Sequence, residues 1–326
     1  MELSPEQITI AVTVFSRRDF VCGAIRSALN QTVPVKVIVV EDCGPDSTLR
    51  DLVLGEFGSR IEYFRNSKNR GLFDNWNACM DYCRTPWLSI LHDDDWVHPH
   101  FVETMLALAG DKPERALYFG RSGILWEDGK IAPPAPALWE KNQRDLDVTE
   151  LADQCFVLFP GQLFHVARAL AVGGFRPRSY LTGDWDLWFR LALRFGAAQT
   201  TTEVSVVRSH YGADRGTSRV ERMGWKWALD NVQRKRNLAL LKREKGVIVP
   251  FDRTKFLNQS PIPARQLLRH AHRYSRRILF YNWWLFTHSR PPGPGYSVLQ
   301  SAVRISGPRV FRFLSGLFNQ QCRFCF

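Results

Sequence analysis

The chain of 326 residues predicts an α/β fold, a mostly parallel, Rossmann-like sheet flanked by helices, with a basic helical extension at its C-terminal end. Three observations carry this. Short apolar runs rich in β-branched residues alternate with segments of helical period through the first 120 positions, the pattern of parallel strands joined by crossover helices. Two of those runs end in acids, Glu41-Asp42 and Asp93-Asp94-Asp95, and open parallel sheets bind ligands beyond the carboxyl ends of their strands. Residues 251–326 hold twelve Lys/Arg against the single acid Asp252, a balance of +11, which leaves +1 of the net +12 for residues 1–250. The predicted division is therefore a near-neutral body, 1–250, and a basic extension, 251–326.

Ile8–Val14 (ITIAVTV) is the first strand, and Asp19 can cap a helix over Asp19–Leu29, where Phe20, Ala24, Ile25, Ala28 and Leu29 share a face. Val35–Val40 is the second strand, ending in the turn-forming cluster Glu41 to Asp46. A helix over Ser47–Phe57, a strand at Ile61–Phe64 and a helix near Phe73–Cys83 follow. Trp87–Leu91 is the fourth strand, and Pro99 can start the next helix. Ala116–Phe119 closes the clear alternation. Beyond it, Trp126–Lys130 has hairpin composition, Pro133–Pro136 is a stiff loop, Asp184–Phe195 is helical, Val204–Val207 is a strand and Ser218–Glu244 is a long helix. In the extension, Leu267, Leu268, Ala271, Tyr274, Ile278 and Leu279 form an apolar stripe beside Arg265, Arg269, Arg273 and Arg276. Basic amphipathic segments of this kind lie in membrane interfaces; packing on the body is the alternative.

Composition removes several classes. With 45% hydrophobic and 23% charged residues the chain is globular, not disordered or fibrous. The seven cysteines form no framework spacing, which suits reduced thiols in a cytosolic protein, and Cys322-x-x-Cys325 is a lone pair where zinc needs four ligands. Met1–Gln7 has no basic n-region, so no signal peptide is expected. The longest uncharged apolar stretch of the extension, Ile278–Thr287, is ten residues, short of the ~20 that a spanning helix needs. Walker, G-x-S-x-G and G-x-G-x-x-G signatures are absent.

Asp93, Asp94 and Asp95 crowd charge at a buried strand exit, which needs a cation or hydroxyl partners. Hard oxygen donors suit Mg²⁺ or Mn²⁺ together with a diphosphate; an acidic turn before the Pro99 helix is the plain alternative. Glu41-Asp42 can accept hydrogen bonds from a base or ribose, or form an Asx-type turn. Asp184, at a helix start, is a general base or a cap. His210, after the Val204–Val207 strand, can complete a metal site.

In that order the motifs resemble family 2 glycosyltransferases, inverting enzymes of the GT-A fold that use nucleotide-sugars. ITIAVTVFSRRDFVCGAIRSALNQT (8–32), VIVVEDCGPDST (37–48), Asn69-Arg70-Gly71, LHDDDWVHP (91–99) and VGGFRP (172–177) with GDWDLWFRLALRFG (183–196) carry the resemblance, over about residues 8–218. The resemblance implies a nucleotide-sugar half at about 1–120 and an acceptor half at about 121–250. It implies Thr13, Phe15, Arg17, Asp42 and Asp93 around the nucleoside and ribose. Asp94 is then the main ligand of Mn²⁺ or Mg²⁺, with Asp95 and His210 as further contacts, the ion being held by Asp93/Asp94 or by Asp94/Asp95. Asp184 becomes the base for an acceptor hydroxyl, and Tyr211–Thr217 a segment that closes over the donor. Two positions depart from the family pattern: His92 stands where the first acid of its DXD signature often is, and Gly183 where Glu often precedes the base.

The expected activity is metal-assisted transfer from a nucleotide-sugar, with a UDP-sugar favoured, to a saccharide or lipid-linked saccharide. The expected location is the cytoplasm, peripheral at the inner face of a membrane whose anionic surface meets residues 251–326. No nucleic acid partner is expected. The alternative is a nucleotide-sugar or polysaccharide-binding module of the same fold that has lost turnover.

Overall fold

A computed structural model of the chain describes residues 3–126, 128–134, 142–209 and 225–249. The basic extension 251–326, His210, the segment Tyr211–Thr217 and the Cys322/Cys325 pair lie outside the described residues.

One half of the sheet is four parallel strands in the order β3-β2-β1-β4: β1 (Ile8–Val14), β2 (Lys36–Glu41), β3 (Glu62–Arg65) and β4 (Trp87–His92). All seven residues of β1 are buried, which explains its unbroken apolar run: a central parallel strand is covered on both faces. The sheet continues through β9 (Gln162–His165), antiparallel to its neighbours β4 and β6 (Leu117–Leu125). Next comes β10 (Ala197–Arg208), parallel to β6, and then the short β5 (Trp96–Val97). Two more strands attach to this half, β7 (Ile131–Ala132) on β6 and β8 (Gln143–Asp145) on β10.

Successive side chains of a strand point to opposite faces, and the core divides accordingly. Ile8, Ile10, Val12 and Val14 pack with α1 (Arg18–Leu29), α2 (Leu49–Phe57) and α4 (Phe101–Asp111). Ala11 packs on the other side with α3 (Leu72–Tyr82), α5 (Val148–Asp153), α6 (Val166–Ala171), α7 (Gly183–Phe195) and Leu241 of α8 (Trp225–Lys245). Helix α1 buries Val21, Ala24, Ile25 and Ala28, the spacing of one helical stripe.

Three boundaries differ from expectation. The helix expected from Pro99 begins at Phe101, because Trp96–Val97 pair with β10 and the His98 amide donates to the Val204 carbonyl (2.8 Å), which keeps the chain on the sheet. Asp19 lies in the first turn of α1 rather than capping it; Arg17 holds the cap position, without a side-chain capping bond. Strands β6 and β10 run well beyond their apolar stretches, and their register shifts on either side of Glu203. Among the described residues, no helix is long and apolar enough to cross a membrane.

Candidate active site

Strand register brings the acidic tips together. Thr13 of β1 lies opposite Val40 of β2 and His92 of β4, and Val14 lies opposite Glu41. The Asp42 amide then donates to the Val14 carbonyl (2.9 Å).

Beyond β2 the chain turns sharply. Cys43 has φ of 51°, and a Cβ on Gly44 would lie 1.7 Å from the Phe15 carbonyl oxygen, so only glycine fits there. Glu41 is fully buried and serves this turn. Its carboxylate accepts from the Gly44 amide (3.0 Å) and the Tyr63 hydroxyl (2.7 Å) and pairs with Arg65. Burial and then the bond to Glu41 push the Tyr63 hydroxyl pKa up.

Asp42 is wrapped differently. Its Oδ1 accepts from Asn66 Nδ2 (2.9 Å) and the Arg70 amide (2.8 Å), and its Oδ2 accepts from the Gly71 amide (2.9 Å). The Asn69-Arg70-Gly71 turn, with Gly71 at φ of 79°, is thus anchored on Asp42 and launches α3. A carboxylate has about four acceptor positions, so Asp42 keeps capacity for one more donor.

The acids after β4 are nearly excluded from water: Asp93 is 6% exposed, Asp94 5% and Asp95 4%. Arg17 Nη1 bridges Asp93 Oδ1 (3.1 Å) and Asp94 Oδ2 (2.7 Å). Burial pushes the Asp93 carboxyl up to about 6; the nearby Arg17 charge opposes the shift and Asp94 adds to it. Burial works against the Arg17 charge, but Asp94, Asp93 and Asp95 outweigh it and raise its pKa. Asp95 Oδ1 accepts from the Arg208 amide (2.8 Å), and Arg208 Nε donates to the Asp94 carbonyl (3.2 Å). The Arg208 guanidinium lies over Phe20 (4.6 Å).

His92 Nδ1 sits 3.5 Å from Asp95 Oδ2, while its ring stacks on Phe159 (4.4 Å) and Trp76 (5.5 Å). Burial disfavours the charged ring, but Asp95, followed by Asp94 and Asp93, raises its pKa overall. His92 Nε2 is buried without a hydrogen-bond partner. One donor atom each from His92, Asp94 and Asp95 falls within 4.8 Å of the others. Carboxylate oxygens and an imidazole with an orphaned nitrogen fit Mn²⁺ or Mg²⁺ as a donor set.

Asp184 lies half-buried in the first turn of α7, and its Oδ1 accepts from the Trp185 amide (2.8 Å). A contact chain links it to the acids. A Cβ on neighbouring Gly183 would lie 1.9 Å from the Phe73 ring; Phe73 packs edge-on against Trp76 (5.1 Å), and Trp76 stacks on His92. Two residues on, Asp186 is a scaffold acid. Its Oδ2 takes both Nε (3.0 Å) and Nη2 (2.6 Å) of Arg190, which also donates to the carbonyls of Val172 (2.5 Å) and Gly174 (2.7 Å). This network ties α7 to the Val172–Gly174 turn.

Arg17, Asp93, Asp94 and Asp95 therefore form one cluster, with Thr13 opposite His92 in register. Asp42 heads a second cluster after β2, across β1 from the first, and Phe15 reaches its turn through the carbonyl beside Gly44. Asp184 follows Gly183, which packs on Phe73 at the far end of the aromatic contacts that reach His92. Sequence reasoning passed over His92 and Arg208 as contributors, Phe73 except as a helix start, and Asn66 altogether. His92 carried a signal, since it abuts the triple acid on a strand tip; the other three carried none that is local.

The glycosyl transferase family 2 model matches residues 9–164. An uncharacterized glycosyltransferase of Rickettsia bellii is 24% identical over 287 residues, 81% of this chain and 40% of that protein. The succinoglycan biosynthesis protein ExoO of Rhizobium meliloti is 34% identical over 103 residues, 31% of this chain and 29% of that protein. The chain spans 35–40% of the length of the Rickettsia relatives it matches. Among solved structures, S. aureus TarS 1–349 in complex with UDP-GlcNAc matches with a TM-score of 0.55 at 12% identity, covering 73% of this chain and 71% of that one. That likeness establishes the GT-A fold.

Proposed function

We propose, for a chain that is a member of glycosyl transferase family 2 through residues 9–164, transfer of a sugar from a nucleotide-diphosphate sugar to a saccharide hydroxyl with inversion. The observation that carries this reading is the placement of a buried acid cluster after β4 and a separate, nearly saturated aspartate after β2, at the same ends of the two parallel strands that flank β1. Asp42, with Thr13 and Phe15, meets the nucleoside, and Asp42 spends its remaining acceptor position on the base. Arg17 and Asp93 face the ribose and diphosphate. His92, Asp94 and Asp95 hold a divalent cation, and His210 is a further candidate ligand. When bound, Mn²⁺ or Mg²⁺ supplies positive charge that stabilises a departing diphosphate. Asp184 accepts the proton of the acceptor hydroxyl as that oxygen attacks the anomeric carbon, a contribution of about 10²–10⁴-fold.

The complex of TarS with UDP-GlcNAc supports a UDP-sugar as the donor, and the likeness to ExoO, a succinoglycan biosynthesis protein, supports a role in polysaccharide assembly; the proposed acceptor is a saccharide, free or lipid-linked. Residues 1–250 form the catalytic body in this proposal. Residues 251–326 hold it at the anionic inner face of a membrane, with Lys/Arg contributing about 1 kcal/mol each near such a surface.

The test measures nucleotide release and sugar transfer from a panel of nucleotide-sugars in Mn²⁺ and in EDTA. Transfer that disappears in Asp184→Asn is expected. A chain that binds nucleotide-sugars but turns none over is instead a binding module, a reading that the Phe73 ring packed where a residue-183 side chain would stand also favours. Flotation with anionic vesicles, with and without residues 251–326, tests the membrane contact; equal flotation of both removes it.

A further inference from the structure

We propose that Arg17 is an exchangeable counter-ion of the acid cluster: it neutralises Asp93 and Asp94 in the metal-free protein, yields Asp94 to a divalent cation held with His92 and Asp95, and turns its guanidinium to the donor's diphosphate. This rests on the reading of the cluster as a cation site.

The contact has the form of an interchangeable one. A single nitrogen, Nη1, is shared between Asp93 Oδ1 and Asp94 Oδ2. The two parallel bonds of a fork on one carboxylate, the stronger arrangement, are not used. Exposure is also unequal across the pair. The Arg17 side chain is 35% exposed at a loop-to-helix junction, whereas those of Asp93 and Asp94 are 8% and 4% exposed. The long arginine is the part that can move. Its neighbour Arg18 is committed elsewhere, to Asp46 (2.9 Å) and Thr48 (2.6 Å).

The rest of the donor set is held independently of Arg17. Asp95 is fixed by the Arg208 amide and faces His92 Nδ1, and the Asp94 carbonyl is held by Arg208 Nε. Departure of Arg17 leaves those contacts in place. It also removes the Arg17 charge from beside Asp93 and Asp94, a place that a divalent ion, with twice the charge, can take. The displaced cation then lies at the cluster's open side, where a diphosphate bound to the metal arrives. Arg17 thus weakens metal binding to the protein alone and strengthens binding of the nucleotide with the metal, which couples the two ligands.

The experiment is calorimetric titration of Mn²⁺ alone into wild type, Arg17→Gln, Arg17→Lys and Asp94→Asn, followed by UDP at saturating Mn²⁺. Removing a competing charge at the edge of the site tightens Mn²⁺ binding about tenfold in Arg17→Gln. Arg17→Lys falls between it and wild type, and both variants bind UDP more weakly. Thermal unfolding gives the second readout: Arg17→Gln melts below wild type in EDTA and gains more from Mn²⁺ than wild type does. Mn²⁺ affinity in Arg17→Gln equal to or below wild type, with Asp94→Asn defective, overturns the exchange and leaves the cation reading standing. Equal Mn²⁺ binding by wild type and Asp94→Asn overturns the cation reading, and the exchange falls with it. If Arg17→Gln does not fold in either condition, Arg17→Lys decides by the same comparison.

Discussion

Asp42→Asn separates a carboxylate that holds the β2 tip to the start of α3 from one that merely lies near them. The substitution preserves shape and replaces one oxygen by an NH₂ group. The surrounding donors dictate how the amide must sit: its oxygen stays where Asn66 Nδ2 and the Arg70 amide both donate. The new NH₂ then faces the Gly71 amide, donor against donor, in a residue only 4% exposed. Two losses follow, hydrogen bonds to a charged acceptor and an unpaired buried donor, worth about 1.5–3 and 1–3 kcal/mol respectively. The Gly71 amide also donates to Asn69 Oδ1 (2.8 Å) and so is not orphaned. That places the total near the lower end, about 2–4 kcal/mol. At about 2–4 °C per kcal/mol for a domain of this size, the melting midpoint falls by about 4–16 °C. Urea unfolding followed by circular dichroism measures the first quantity and calorimetry the second. Hydrogen exchange over residues 69–73 rises, because Asp42 anchors the start of α3. A stability change under about 0.5 kcal/mol, the scale of ordinary surface substitutions, would refute the reasoning.

Other perturbations test neighbouring parts of the site. Arg190→Met leaves Asp186 and the carbonyls of Val172 and Gly174 without their shared donor and costs about 3–5 kcal/mol in urea unfolding; Asp186→Asn in the same chain recovers part of the loss. Gly183→Ala drives a methyl group into the Phe73 ring, lowering stability by about 1–3 kcal/mol, and Phe73→Ala in that background relieves it. Asp184→Asn lowers transfer about 10²–10⁴-fold while UDP affinity, measured by titration, stays at the wild-type value; unchanged transfer removes Asp184 as the base.

Legibility followed burial. Strands β1, β2 and β4 could be read because they are covered on both faces and so consist of unbroken apolar runs. Strand β10 could be read only over Val204–Val207, since Thr201, Thr202 and Glu203 are half-buried and the register shifts there. Strand β9 has four residues and helices α5 and α6 have six each, too short for a period to accumulate. In the site, residue types at strand tips were readable because they are local. Their partners were not, because the fold alone delivers them: Arg17 lies 76 positions from Asp93, Arg208 lies 113 from Asp95, and Asn66 and the Arg70 and Gly71 amides lie 24, 28 and 29 from Asp42.

Those distant partners also sort acids that look alike along the chain. Glu41, Asp42 and Asp186 are gripped by backbone amides, a phenol, an asparagine or a double contact from one arginine. Such bonds have fixed geometry and leave few acceptor positions over, so these acids shape the strand tip, the α3 start and the α7 turn. Asp93 and Asp94 share one nitrogen of Arg17, whose side chain is 35% exposed. A carboxylate can exchange a mobile cation without unfolding anything; it cannot exchange the amide that starts a helix. The kind of donor each acid receives therefore distinguishes architecture from chemistry here. By that criterion Asp42 is architecture first, with three acceptor positions given to the fold and one left over.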